Sequence, residues 1–422
     1  MAVRRTTSPA TSSRGLILDL IRSAGPISRV ELADRTGLTQ ATMSNVVRLL
    51  IDEGLVVESG RGASTGGKPR VLVELDPRAR FALGIQLGAT AATYVVVDAS
   101  GAVVGRMTTR APAAAPAPAA TAASTSPTPW ATTADLAATI DHLLDTLAIE
   151  RSRVLGVGVA APGPIDLDRG TIVAPTGLGH LRPMALREAL EVATGLPVVI
   201  DNDATAAAMG DFWVGSIDGA TAHCTLFMSA GIGSGILLDG AVYRGASSNA
   251  GEFGSVRGAD GVRRPLEAVA SPEAVAHAAR AALAGGRRGG FVLDPEADDP
   301  FGDFVAVSAA AVLDDALALE LLEPSIDAIA DQAVVLANVL DLDSLMLAGP
   351  AFAVAGSLYL ARVRRRVDEE FFARSVHRVR VGLSPHLADA AAVGVAALVL
   401  QSELAPRSLP STRTSTSAPP SP

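Results

Sequence analysis

The chain has 422 residues, of which 49% are hydrophobic and 19% charged, with a formal net charge of −9. With half its side chains apolar it has material for two or three domains that each bury a core, which sets aside a disordered or fibrous chain. A lone cysteine, Cys224, excludes an internal disulfide and a thiolate zinc cluster.

The polar stretch Met1 to Ser13 lacks the apolar core of a secretory signal, and no run of eighteen uncharged apolar residues occurs. The expectation is a soluble, cytoplasmic protein. Charge is unevenly spread: residues 1–80 carry +4 and the remainder −13. A small basic module ahead of a large acidic body suits a nucleic-acid-reading head on a body that phosphates repel.

Residues 1–12 and 403–422 are rich in Ser, Thr, Pro and Arg and are expected to be disordered tails. Between 13 and 78 short helices are predicted. "RGLILDLIRSAG" places Leu16, Leu20, Ile17 and Ile21 on a helical face and stops at Gly25-Pro26. "SRVELADRTG" opens with Ser28 as N-cap and Glu31 three residues on, a capping box, and closes at Gly37. "LTQATMSNVVRLLIDEG" restarts at Thr39, points Met43, Val46, Val47 and Leu50 inward and stops at Gly54.

Two capped helices joined by a tight Thr-Gly-Leu turn make a helix-turn-helix. The outer face of the second helix would carry Gln40, Thr42, Ser44, Asn45 and Arg48, side chains that hydrogen-bond base edges or phosphates. "LVVESGRGASTGGKPRVLVEL" then reads as two strands around a glycine-rich loop, a wing with Lys68 at its tip and Arg70 beyond, suited to a minor groove or to phosphates. A small packing or protein-binding module has the same outline; the coincidence of caps, turn and basic wing favours DNA.

From residue 79 to 402 the pattern changes to strands rich in Val, Ile and Leu alternating with Ala-rich helices, an α/β body. The Ala/Pro-rich stretch 108–133 is read as a surface loop inside it. "LGIQLGATAATYVVVDASG" and "TLFMSAGIGSGILLDGAVY" share one design of strand, glycine turn, strand and Asp/Gly turn. They suggest a duplicated lobe, or two unrelated hairpins. "GIGSG" lacks the Lys-Ser/Thr of a P-loop and precedes a strand, so it is read as a hairpin turn. "DPEADDPFGD", residues 294–303, lacks calcium-loop spacing and is expected to be a solvated acidic insertion.

"LGVGVAAPGPID", "VVIDNDATAAAMGD", "SAGIGSGILLDGAVYRGASSNAGEFGS" and "LEAVAS", in that order, resemble the ROK family, which groups repressors, open reading frames and sugar kinases; the head followed by "GGKPR" is similar to its repressor branch. The resemblance covers nearly the whole chain. It implies a winged helix-turn-helix followed by a two-lobed actin/hexokinase-like (ASKHA) domain, with a sugar between the lobes.

By that resemblance Asn202, Asp203, Glu252 and Glu267 line the sugar site, and Asp203 matches the carboxylate that serves the family's kinases as general base. From the residues alone, Asp203 falls in the first turn of a helix, where free N–H groups and the dipole favour its ionised form, so it is either a ligand acceptor or a helix cap. Glu267 is a sugar contact or a surface acid.

Four departures from the family pattern carry the functional reading. Ser255 stands where the family has a histidine that touches sugar and helps hold zinc, and no cysteine cluster follows, so neither metal nor cofactor is expected. Thr176 stands where an asparagine often faces the sugar. Gln86 replaces the carboxylate that organises magnesium and phosphates in the kinases, and Pro350 replaces a glycine on the nucleotide side, removing a backbone donor.

The reading is a sugar-responsive DNA-binding regulator, a repressor acting as a homo-oligomer on operator DNA. Its competitors are an ATP-dependent sugar kinase with an extra head and a protein-interaction hub.

Overall fold

The computed structural model describes residues 13–61, 70–88, 91–110, 133–173, 184–217, 219–257 and 264–404. The chain divides into two compact units, Met1–Ala79 with Leu400–Pro422, and Arg80–Val399.

In the first unit α1 (Ser13–Ala24), β1 (Ile27–Ser28), α2 (Arg29–Thr36), α3 (Gln40–Asp52), β2 (Val56–Arg61) and β3 (Val71–Leu75) form three helices and a sheet of order β1-β3-β2. Local chemistry sets the helix ends. The Ser28 hydroxyl accepts the Glu31 N–H while the Glu31 carboxylate accepts the Ser28 N–H, the predicted capping box, and Gly37 ends α2 at φ 70°. Thr39 caps α3 through the Thr42 N–H. The apolar stripe of α1 is Ile17, Leu18 and Ile21; Leu16, expected inward, is exposed. The wing is the antiparallel β2–β3 pair, and its tip, residues 62–69, lies outside the described residues.

The second unit opens with β4 (Phe81–Leu87), β5 (Ala91–Asp98), β6 (Val103–Arg110), α4 (Thr133–Thr146), β7 (Val154–Ala161), the short strands β8 (Ile165–Asp166), β9 (Thr171–Ile172) and β10 (Met184–Ala185), α5 (Leu186–Thr194) and β11 (Val198–Asn202). Thr108–Arg110 belong to β6 and Thr133 begins α4, so the surface loop expected over 108–133 is shorter at both ends. After α6 (Asp203–Trp213) come β12 (Ala222–Met228), β13 (Ile232–Leu238), β14 (Ala241–Val242), α7 (Glu267–Ala270), α8 (Pro272–Ala284), α9 (Pro300–Val312), α10 (Ala316–Leu340), β15 (Ser344–Ala348), α11 (Phe352–Glu370), β16 (Arg380–Leu383) and α12 (Ala390–Leu404).

The sheet orders are β11-β7-β4-β5-β6 and β14-β13-β12-β15-β16. In each, an antiparallel hairpin is extended on its first strand by two parallel strands, β7 and β11 in one and β15 and β16 in the other. The two hairpins singled out in the sequence therefore head two lobes of one topology. Each lobe has its own core: Phe81, Ile85, Tyr94, Val157 and Ile200 with α4 and α5 in the first, and Leu226, Phe304, Ile329, Leu345 and Tyr359 with the long helices in the second.

Helix α6 leaves the first lobe and is tied to the second by a buried polar chain. Ser384 and Thr225 donate to the two oxygens of Asp211 at 2.6 and 2.9 Å; His223 Nε2 lies 2.8 Å from Thr225 and its Nδ1 3.0 Å from Ser344. Because Thr225 gives its proton to Asp211, the Nε2–H of His223 donates to Thr225 and its Nδ1 accepts from Ser344. Burial pushes the Asp211 carboxyl up to about 6 and the His223 imidazole down to about 3, which keeps the imidazole neutral. The stretch Leu387–Leu404, containing α12, is long and apolar enough to cross a membrane but is 72% buried, as a core helix is.

Candidate functional site

On α3 the side chains of Gln40, Ser44, Asn45 and Arg48 are exposed, and Thr42 is half-buried beside its cap, its hydroxyl 3.0 Å from that of Thr39. Arg48 donates to the Asn45 amide oxygen at 3.0 Å, so the two polar groups present one surface. Arg70, at the start of β3, is exposed; Lys68 lies outside the described residues. Inward-facing Met43, Val47 and Leu50 fix which side of α3 is free.

Within the body, the parallel strands β4, β7 and β11 end on one edge of their sheet, and β12 and β15 end on the corresponding edge of theirs. Between these edges lies a cavity of about 630 Å³, the position where α/β sheets bind ligands. Asn202, Asp203, Glu252 and Glu267, drawn from three separate motifs, all line it, together with Gln86 and Pro350. Ser255 is exposed in a short 3-10 turn and does not line the cavity, a departure from its expected place among the ligand contacts; Thr176 lies outside the described residues.

Each of these side chains is positioned by its neighbours. Asn202 ends β11 and caps α6, its amide oxygen accepting the Ala204 and Thr205 N–H groups at 2.9 and 3.1 Å, which leaves its amino group for a ligand. Glu252 stands on the loop between β14 and α7, pinned to both lobes. Ser234 of β13 donates from its N–H and hydroxyl to the Gly251 carbonyl. Asn249 exchanges hydrogen bonds with the Ile165 backbone at 2.9 and 3.2 Å, and Arg244 makes a bidentate pair with Asp201 at 3.1 and 2.7 Å. Gly251 has φ 94°, and a Cβ there would stand 1.9 Å from the Ser234 carbonyl oxygen, so only glycine permits the approach. Glu267 starts α7 and accepts the Ile232 N–H at 2.9 Å.

The electrostatics depart from the sequence expectation. Asp203 sits in the first turn of α6 but is not held ionised. Burial raises its carboxyl to about 7, outweighing the N–H of Ala204 at 2.8 Å, and the charge of Glu252 adds to the rise. Asn202 takes the Thr205 N–H and shares that of Ala204, so Asp203 receives less of the helix start than its position suggests. Glu252 is raised as well, by burial and then by Glu267. Asp201 is 1% exposed and serves as the counterion of Arg244.

The acidic stretch 294–303 is also not simply solvated. Arg280 holds it by donating to the carbonyls of Asp294 and Ala297 and pairing with Asp303, and Asp298, Asp299, Pro300 and Phe301 form a wall of the cavity. With Glu273 and Asp389, the latter paired with Arg106, seven carboxylates line the cavity, and no lysine, arginine or histidine does among the described residues. Gln86 is 8% exposed, and its amide oxygen has no hydrogen-bond partner among the described residues. Sequence reasoning did not find Arg244, Asn249 or the Asp298–Phe301 wall. The signal available for Arg244 was a lone cation in a stretch of small residues.

The arrangement can accept hydroxyl protons at several oxygens and donate from Asn202, which fits a polyol; among the described residues it has no cationic clamp for phosphates. Comparisons with known proteins agree with this architecture. The ROK family profile matches residues 82–402 and that of the MarR family residues 11–63. The chain is 26% identical over 414 residues to a putative xylose repressor from Caldicellulosiruptor sp. (strain Rt8B.4), covering 92% of this chain and 96% of that one. It is 28% identical over 239 residues to the xylose repressor of Bacillus subtilis (strain 168), an alignment spanning 57% of this chain and 58% of that repressor. Among solved structures it shares its fold with a ROK family transcriptional regulator, a homologue of the E. coli MLC protein, at TM-score 0.70 and 22% identity, covering 92% of this chain and 95% of that one. With a MarR-type winged head and a matched body running nearly to its last helix, the chain belongs to the ROK family.

Proposed function

We propose that this chain is a sugar-responsive transcriptional regulator, a repressor of carbohydrate-related genes that binds operator DNA through α3 and the wing and senses a sugar in the cleft of its body. One observation carries the reading: a winged head stands on the same chain as a cavity lined by seven carboxylates, an asparagine and a glutamine, with no cation among its described lining residues. Asn202, Asp203, Glu252 and Glu267 read the sugar hydroxyls. Gln40, Thr42, Ser44, Asn45 and Arg48 read DNA, with Lys68 and Arg70 on phosphates or the minor groove. It works in the cytoplasm as a homo-oligomer, which presents two heads to two half-sites.

By linkage, the sugar changes operator affinity by the factor by which operator changes sugar affinity. The test is an anisotropy titration of operator DNA with and without each sugar that raises the melting temperature. Weaker DNA binding in the presence of sugar is the expected outcome; identical affinity with every binding sugar removes the sensor role.

A kinase reading keeps one observation in its favour: Asp203, held at about 7, has the basicity of a general base. Against it stand the neutral Gln86, which offers magnesium no carboxylate where the family's kinases have one, and a lining with no cation among the described residues to meet a triphosphate. Incubation with Mg-ATP and sugars separates the two, and turnover of about 1 per second or faster establishes the kinase.

A further inference from the structure

The sugar reading leaves Gln86 and the Asp298–Phe301 wall of the cavity without a role. Gln86 pairs in register with Ala160 of β7, and Ala160 with Asp201 of β11, so Gln86 lies two strand spacings, about 10 Å, from the residue preceding Asn202. Two linked rings reach from Asn202 and Asp203 across that span. The cavity, at about 630 Å³, falls in the range of pockets that bury drug-sized ligands, well beyond one ring.

The chemistry of these lining residues says what fits beside them. The Gln86 amide oxygen is buried and without a partner among the described residues, and a buried acceptor calls for a donor. Asp298 and Asp299 accept hydroxyl protons and oppose a polyphosphate. Phe301 and Pro300 offer an apolar surface to the C–H face of a sugar ring. Pro350 withholds a backbone donor that a phosphate would use.

We propose that the cleft is a two-unit sugar site: one ring is held at Asn202, Asp203 and Glu252, a second linked ring lies over Gln86 against Phe301, and the effector is a disaccharide or comparable glycoside. This rests on the sugar-sensor reading and adds the size class of its ligand.

The experiment is calorimetric titration of the full-length chain with xylose, glucose, xylobiose, cellobiose and Mg-ATP. At least one dimer is expected to bind about tenfold or more tightly than its own monomer. Gln86→Leu should bring that dimer down to the monomer's affinity, whereas Gln86→Glu, which keeps an acceptor oxygen, should retain a preference for the dimer and show that the site tolerates substitution. Monomers binding as tightly as dimers, or Gln86→Leu weakening both alike, overturns the two-unit site and leaves the sensor standing. Binding of Mg-ATP, with no sugar bound, overturns both.

Discussion

Gly394 of α12 faces the backbone carbonyl of Ala206 on α6 so closely that a Cβ at position 394 would stand 1.7 Å from that oxygen. These two helices cross at the seam between the lobes, α6 continuing from β11 and α12 following β16. The contact is backbone against backbone, so a side chain cannot swing away and the helices themselves must separate. Gly394→Ala is therefore expected to cost about 3 kcal/mol, read as a melting temperature lower by roughly 5 °C. An unchanged melting curve would remove the crossing as a packing constraint.

Arg244 and Asp201 give a second test of how the cleft is held. Asp201 is 1% exposed, and Arg244 pairs with it at 2.7 Å. Arg244→Met strands a buried carboxylate, at an expected cost of about 3–5 kcal/mol in urea unfolding. Arg169→Met, which loosens a largely exposed pair at 3.8 Å, should stay within about 0.5 kcal/mol. Equal effects of the two substitutions would contradict the role assigned to Arg244.

The raised Asp203 carboxyl predicts a pH dependence of defined sign. A folded value of about 7 against 3.8 for the free side chain means that the native state holds the proton more tightly. The stability this confers is complete below about pH 4 and is lost as pH rises through 7. Asp203→Asn removes that slope, so the variant should gain on the parent protein between pH 5 and pH 8 by a few kcal/mol. Parallel melting-temperature profiles for the two proteins would show that Asp203 is ionised throughout.

For the head, Arg48→Ala and Asn45→Ala are expected to separate in fluorescence anisotropy across salt concentrations. If Arg48 neutralises a phosphate, its loss weakens binding to all sequences and lowers the salt slope by about 1. Asn45→Ala should cost about 1–3 kcal/mol on the operator and little on unrelated DNA. A variant of either residue with unaltered operator affinity would move the reading surface off this face of α3.

What the sequence revealed follows the range of the forces involved. The capping box of Ser28 and Glu31 and the cap at Thr39 are contacts three residues long, so they were readable and the structure contains them. Asn202, Asp203, Glu252 and Glu267 were found through motif order, and the topology brings them to one cavity. The protonation of Asp203 was misjudged because helix-dipole reasoning is local, while the burial that outweighs it is set by the second lobe. Leu16 was placed inward and Leu18 was not named, since helical spacing alone does not choose between adjacent stripes. The 294–303 stretch was read from composition, and Arg280, which draws it over the cavity, acts across more than a dozen residues. The inter-lobe ties of Arg244 and Asn249 have no local pattern that marks them.

The duplicated architecture has a thermodynamic consequence. Because the halves keep separate apolar interiors, heat can empty one before the other, and an unliganded sample is free to lose its enthalpy in two overlapping steps. A compound that grips both rims binds only when each is intact, so it fuses those steps into one. The breadth of the calorimetric peak thus reports occupancy of the cleft as directly as its midpoint does.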